Sequence, residues 1–213
     1  MGWQKLWQDP EIARQWRERP PLPEVVTMAD LLAAEGRRRV VDLGCGMGRH
    51  TVYLAARGFD VTGTDNAPAA IAGCKQSLDR LGLTATLIET DMTEFPFPDG
   101  YFDGVISANV IHHTYRATIA RIIASITHKL SPRGIFAWAT PSLRHREHGQ
   151  GREVEPGTWV DDSHREGPVP HHYCTEQEIR EWLKDYTFES LSERQMADRP
   201  ERWHWYVLAR KRA

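Results

Sequence analysis

The sequence predicts an α/β protein: a doubly wound, mostly parallel sheet with helices on both faces. Three observations carry this. Short β-branched runs alternate with stretches of helical periodicity through residues 37–140. The first of these runs, residues 40–43, feeds Gly44, Gly46 and Gly48 and then a helical pattern. The next run ends in a carboxylate, Asp65, about twenty residues beyond that turn.

The elements follow in order. Asp9-Pro10-Glu11 is a helix start, with an N-cap, a proline at the first helical position and an acid in the first turn. Pro20, Pro21 and Pro23 end that helix. Val25, Met28, Ala29 and Leu32 then mark a second helix that stops at Gly36. Arg37-Arg38-Arg39 reads as a solvated bend before the first strand. Trp3, Trp7 and Trp16 crowd this lead-in. Packing against the domain is the simpler account, and an aromatic cover over a ligand is the other.

Residues 50–56 form the helix after the glycine turn, closed by Gly58. Residues 59–65 are the second strand. Asn66-Ala67-Pro68 opens a helix faced by Ile71, Cys74, Leu78 and Leu81. Residues 84–88 and 104–108 are strands three and four, and 114–130 a helix carrying Ile119, Ile122, Ile123 and Ile126 inward. Residues 131–134 are a turn before strand five at 135–140. Residues 141–174 are a long polar excursion leaving the ligand end of the sheet, the position of a substrate lid. Thr175-Glu176-Gln177-Glu178 is a capping box that starts the last helix. Residues 188–191 and 203–209 are the last strands, joined by a polar connector, 192–202, long enough for a mobile loop.

The turn itself has chemical content. Free amides at a helix start favour polar or anionic ligand groups. A dinucleotide fingerprint would place its third glycine at Arg49. The missing clearance for a pyrophosphate points to a nucleoside ligand without one. Asp42-Leu43-Gly44-Cys45-Gly46-Met47-Gly48 resembles motif I of the class I S-adenosylmethionine-dependent methyltransferases. Ser131-Pro132-Arg133-Gly134 is similar to the turn before strand five in those enzymes. The resemblance covers residues 37–140 well and the final strands by pattern. It implies a Rossmann-like, seven-stranded sheet with its last strand antiparallel. It implies S-adenosyl-L-methionine as cofactor and S-adenosyl-L-homocysteine as product. Asp42, Gly44, Cys45, Gly46 and Gly48 become the cofactor turn, and Asp65 with Asn66 the ribose end. Asp91 receives the adenine amino group, Met92 covers the base, and Asn109 leaves strand four beside them.

The whole chain reads as one domain: a helical cover at 1–36, the cofactor core at 37–140, a lid at 141–174, and a closing helix and strands at 175–213. Its 213 residues suffice for one core, and 40% are apolar. A formal charge of −2 supplies no basic field for nucleic acid or anionic membrane. Three scattered cysteines, Cys45, Cys74 and Cys174, build neither a disulfide framework nor a paired-cysteine zinc motif. No run is long enough to span a membrane, and no signal pattern opens the chain, so a cytoplasmic protein is expected.

Methyl transfer from a sulfonium needs alignment and exclusion of water more than a protein nucleophile. An acceptor that must lose a proton benefits from a base near neutrality. His113, after strand four, and His171 and His172, in the excursion, are the candidates. His112 is a candidate wall of the pocket. His145, His148 and His164 have Glu147, Asp161 and Asp162 nearby but lack the one-face spacing of a metal motif, so no metal is expected. Two function classes follow: a methyltransferase for a small acceptor, or a binding protein of the same fold. A nucleic-acid or protein methyltransferase lies between. The acceptor and the oligomeric state are not legible.

Overall fold

The computed structural model describes residues 2–213. The chain runs α1 (Gly2–Gln8), α2 (Pro10–Glu18), α3 (Pro23–Ala34), β1 (Arg39–Leu43), α4 (Arg49–Ala56), β2 (Asp60–Asp65), α5 (Pro68–Asp79), β3 (Thr86–Glu89) and β4 (Phe102–Ala108). It continues α6 (Arg116–Lys129), β5 (Leu130–Pro141), β6 (Arg152–Glu155), β7 (Thr158–Val160), β8 (His171–His172), α7 (Glu176–Trp182), β9 (Tyr186–Met196) and β10 (Arg199–Lys211).

Seven strands form one sheet in the order β3-β2-β1-β4-β5-β10-β9. All are parallel except β10, which is antiparallel to both neighbours. Alternation along the strands divides the core. Val41, Phe136 and Trp138 pack with Ile119, Ile123 and Ile179 from α6 and α7. Val40, Ile135 and Ala137 pack with Met28, Leu32 and Leu54 from α3 and α4 on the other face. Both faces are covered, so the central strands read as continuous apolar runs. The strand order reverses between β1 and β4, which places the ligand crevice at their carboxyl ends.

Several expectations change. Arg38 and Arg39 are exposed, as a solvated bend would have them, but Arg37 is not free. The Arg37 guanidinium donates to Asp103 Oδ1 at 3.2 Å, to Pro132 O at 2.9 Å and to Arg133 O at 3.0 Å. This fork of donors matches a cluster of carbonyls that no spacing rule could place beside it. The turn expected at residues 131–134 is absorbed into β5 as a bulge. Pairing passes from Phe102↔Leu130 to Gly104↔Ile135, and Arg133 takes φ 59°. The connector at 192–202 is no loop: β9 and β10 form a hairpin paired from Tyr186↔Lys211 out to Met196↔Arg199. Its polarity has another cause, because β9 pairs on one side only and charged residues suit an edge strand.

Two features lie beyond the sequence reading. The first is α1. The second is a small antiparallel sheet, β6-β7-β8, inside the excursion. The excursion begins and ends together, where Cys174 N–H donates to Pro141 O at 2.9 Å. His172 N–H donates to His112 O at 2.8 Å, which ties it to the loop leaving β4.

Candidate active site

The glycine turn leaves β1 under tight steric limits. Gly44 has φ 73°, and a Cβ there would meet Val110 Cγ2 at 2.3 Å. Gly46 N–H donates to Asp65 Oδ2 at 3.0 Å, while Ala67 N–H donates to Asp65 Oδ1 at 3.0 Å. Asp65 therefore joins the turn to the start of α5. Burial pushes its carboxyl pKa upward. Asp91 accepts from Thr93 N–H at 2.9 Å and from Asn66 Nδ2 at 3.1 Å. Partial burial opposes ionisation of Asp91, and these hydrogen bonds prevail to hold its pKa below the usual value.

Asn109 leaves β4 in the left-handed region, φ 61°, and its side-chain Oδ1 is buried without a partner among the described residues. A backbone held in that region is characteristic of functional sites. Ligand-facing groups here come from β1, β2, β3 and β4 at one end of the sheet.

These residues line one cavity of about 370 Å³. Gly44, Cys45, Gly46, Asp65 and Asn66 form one wall, continued by Asp91, Met92 and Asn109. Trp3, Trp7 and Trp16 roof it. Trp7 packs edge-on to Trp16, and a Cβ on Gly46 would meet the Trp7 ring at 3.2 Å. The tryptophans thus face the cavity instead of merely packing on the domain.

Asp42 and Gly48 do not reach the cavity. Asp42 is 1% exposed and accepts from the Thr51 hydroxyl at 2.8 Å, linking β1 to α4. Burial pushes its pKa up to about 6, against the pull of Thr51 and Arg49. Gly48 is the N-cap of α4, behind the turn.

The far wall holds the histidines. His113 and His171 line the cavity. His172 does not: it is fully buried, with Nδ1 2.8 Å from the Thr158 hydroxyl and Nε2 3.4 Å from Glu178. Period-2 alternation decides this, because adjacent residues of β8 face opposite sides. His113 and His171 instead meet Glu166, a residue the sequence reading did not single out. His171 Nε2 lies 2.8 Å and His113 Nε2 3.3 Å from Glu166 Oε2. Burial favours the neutral form of His113. It also works against an ionised Glu166, whose pKa falls below the usual range to the extent that the two rings donate protons to it. His112, also buried, has no partner for Nδ1 among the described residues. Only the short pattern His164-x-Glu166 before His171 could have drawn attention to Glu166.

Comparison with known proteins fits this geometry. Residues 40–134 match the family described as "Methyltransferase domain". An uncharacterized methyltransferase of Synechocystis is 36% identical over 106 residues, 50% of this chain and 48% of that protein. Other relatives are named for a sterol, a quinolone or ribosomal RNA. The chain spans about half the length of the curated relatives it matches. Among solved structures, an S-adenosylmethionine-dependent methyltransferase of Methanosarcina mazei aligns with TM-score 0.73 at 18% identity, over 91% of this chain and 99% of that one. A Burkholderia thailandensis 1,6-didemethyltoxoflavin-N1-methyltransferase, crystallised with that compound and S-adenosylhomocysteine, aligns with TM-score 0.69 at 20% identity, over 98% and 85%. These likenesses establish the fold, and residues 40–134, which contain the glycine turn, are similar to the methyltransferase-domain family.

Proposed function

We infer that this protein transfers the methyl group of S-adenosyl-L-methionine to a nucleophilic atom of a small acceptor. One observation carries the reading. The glycine turn, Asp65 and Asp91 share a single cavity with a histidine-rich wall, beneath the tryptophans of α1 and α2. In this reading Asp65 accepts from the ribose hydroxyls, Asp91 and Met92 hold the adenine, and Asn109 faces the methionine end of the cofactor. Residues 1–36 and the excursion at 141–174 close the two sides. That enclosure suits an in-line displacement, in which water must be excluded and the acceptor aligned. His113 and His171 stand on the acceptor side. His172 braces the excursion and takes no part in the chemistry.

A covered cavity and a net charge of −2 favour a small acceptor over nucleic acid. No helix among the described residues is long and apolar enough to cross a membrane. Three free, buried thiols accord with a cytoplasmic setting. Labelled cofactor screened across thiols, phenols, amines and carboxylates, with product mass measured, tests the activity. Calorimetry with S-adenosylhomocysteine tests the cofactor wall. Asp65→Ala should weaken binding by about 1.5–3 kcal/mol, the loss of charge-assisted hydrogen bonds. Unchanged affinity would remove Asp65 from the ribose role.

A further inference from the structure

The histidine wall contains an arrangement that methyl transfer does not by itself require. His113 Nδ1 lies 2.8 Å from Val110 O, and His171 Nδ1 lies 2.8 Å from Val169 O. A carbonyl only accepts, so each Nδ1 carries a proton. In a neutral ring, Nε2 then presents a bare lone pair. Both of these nitrogens point at one atom, Glu166 Oε2, at 2.8 and 3.3 Å, and that atom is also bare when ionised. His164 Nδ1 lies 3.6 Å from the same oxygen. Three lone-pair donors facing one another repel unless positive charge joins them. The side chains of His113, Glu166 and His171 are 8%, 8% and 10% exposed, so little water reaches them.

Two cationic rings could supply the charge, but burying two imidazoliums beside one carboxylate leaves a net charge out of water. One divalent cation resolves the contacts directly. The spacing fits: donors held tetrahedrally at about 2.0–2.1 Å from Zn²⁺ lie about 3.3 Å apart. Nδ1–H donated to a backbone carbonyl, with Nε2 free, is the second-sphere arrangement of a metal-binding histidine. Donor atoms of His164, Glu166 and His171 lie within 4.8 Å of one another, as do those of His112, His113 and His171.

We propose that His113, Glu166 and His171, flanked by His164, bind one first-row divalent cation of the Zn²⁺ class on the acceptor side of the cavity. Two imidazoles and one carboxylate leave a coordination position open, and all four residues line the cavity. If the methyl-transfer reading above is correct, that position takes a hydroxyl or thiol acceptor. Coordination releases the acceptor's proton to solvent. The acceptor's lone pair then forms the new bond to the methyl carbon. The breaking carbon–sulfur bond leaves its electron pair on the sulfur of S-adenosylhomocysteine. The sequence expectation of no metal fails on this proposal, because the ligands come from separate segments: the loop after β4, the loop after β7 and β8 itself.

Metal binding tests it without recourse to activity. The chelator-treated protein is titrated with Zn²⁺ by calorimetry and with Co²⁺ by visible absorption. One equivalent should bind, and Zn²⁺ should displace Co²⁺ and bleach its bands. Glu166→Gln and His171→Ala should each weaken Zn²⁺ by more than the ~10–100-fold that outer-sphere changes cost. Exposed His128→Ala should leave binding unchanged. Affinity for S-adenosylhomocysteine reports whether each variant is folded, and it separates this proposal from the cofactor assignment. If a variant does not fold, zinc-edge X-ray absorption on the wild type decides: two or more imidazole ligands support the site, and fewer overturn it. No stoichiometric binding by the wild type, or binding untouched in both folded variants, overturns it as well.

Discussion

Asp42 offers the sharpest test of how this fold handles charge. It stands in the glycine motif, yet it is sealed behind the cavity, bonded to Thr51 and 4.0 Å from the buried ring of His50. Burial raises its pKa from 3.8 to about 6, so ionising it in the folded state is costly. The gap corresponds to at most about 3 kcal/mol. The sign follows from linkage. A group whose folded pKa is raised stabilises the fold below its unfolded pKa, and that stability is lost as pH rises through the folded pKa. For Asp42 the window runs from 3.8 to about 6. Asp42→Asn keeps an acceptor for the Thr51 hydroxyl and removes the titration. The variant should match the wild type near pH 4 and exceed it at pH 7.5. At about 2–4 °C per kcal/mol for a chain of this size, the melting temperature gains up to about 6–12 °C at pH 7.5. Thermal melts of ligand-free protein at the two pH values measure it, and other carboxylates cancel in the difference. A difference between variant and wild type that stays constant with pH would refute the buried-charge argument.

His172→Ala should lower stability by about 1–3 kcal/mol through the fully buried ring and the Thr158 hydrogen bond it removes. Methyl transfer per folded molecule should be retained; a large loss in the chemical step would return His172 to the acceptor pocket. Glu147 is held ionised, its pKa drawn down to about 2 despite burial, by hydrogen bonding to His164 and by Arg202 and His145. Its contribution is present above about pH 4.5 and fades as pH falls toward about 2. Urea unfolding should therefore show Glu147→Gln less stable than the wild type at pH 7, with the gap closing by pH 2.5; a gap that persists in acid would contradict this.

Much of the core was legible because local rules and the fold agree there. The glycine turn, Asp65 at the end of β2, the isoleucine face of α6 and the capping box of α7 stand as the residues suggest. Each depends on contacts within a few residues or on a period of 2 or 3.6. The hairpin of β9 and β10 was only half legible, because an edge strand carries the composition of a loop.

The sequence by itself determined the sheet and the end of it that carries the cavity. Strand, turn and helix signals are short-range, and their alternation admits few topologies. Tertiary structure alone decided which side chains meet. It put Asp42 behind the wall, turned His172 away from the cavity and brought the tryptophans of α1 and α2 over the glycine loop. It also gathered His113, His164, Glu166 and His171, from two loops and β8, around one carboxylate oxygen. No periodicity encodes that meeting. The excursion's path is set by closure of its ends at Pro141 and Cys174 and by the His112–His172 backbone bond, contacts between residues tens of positions apart.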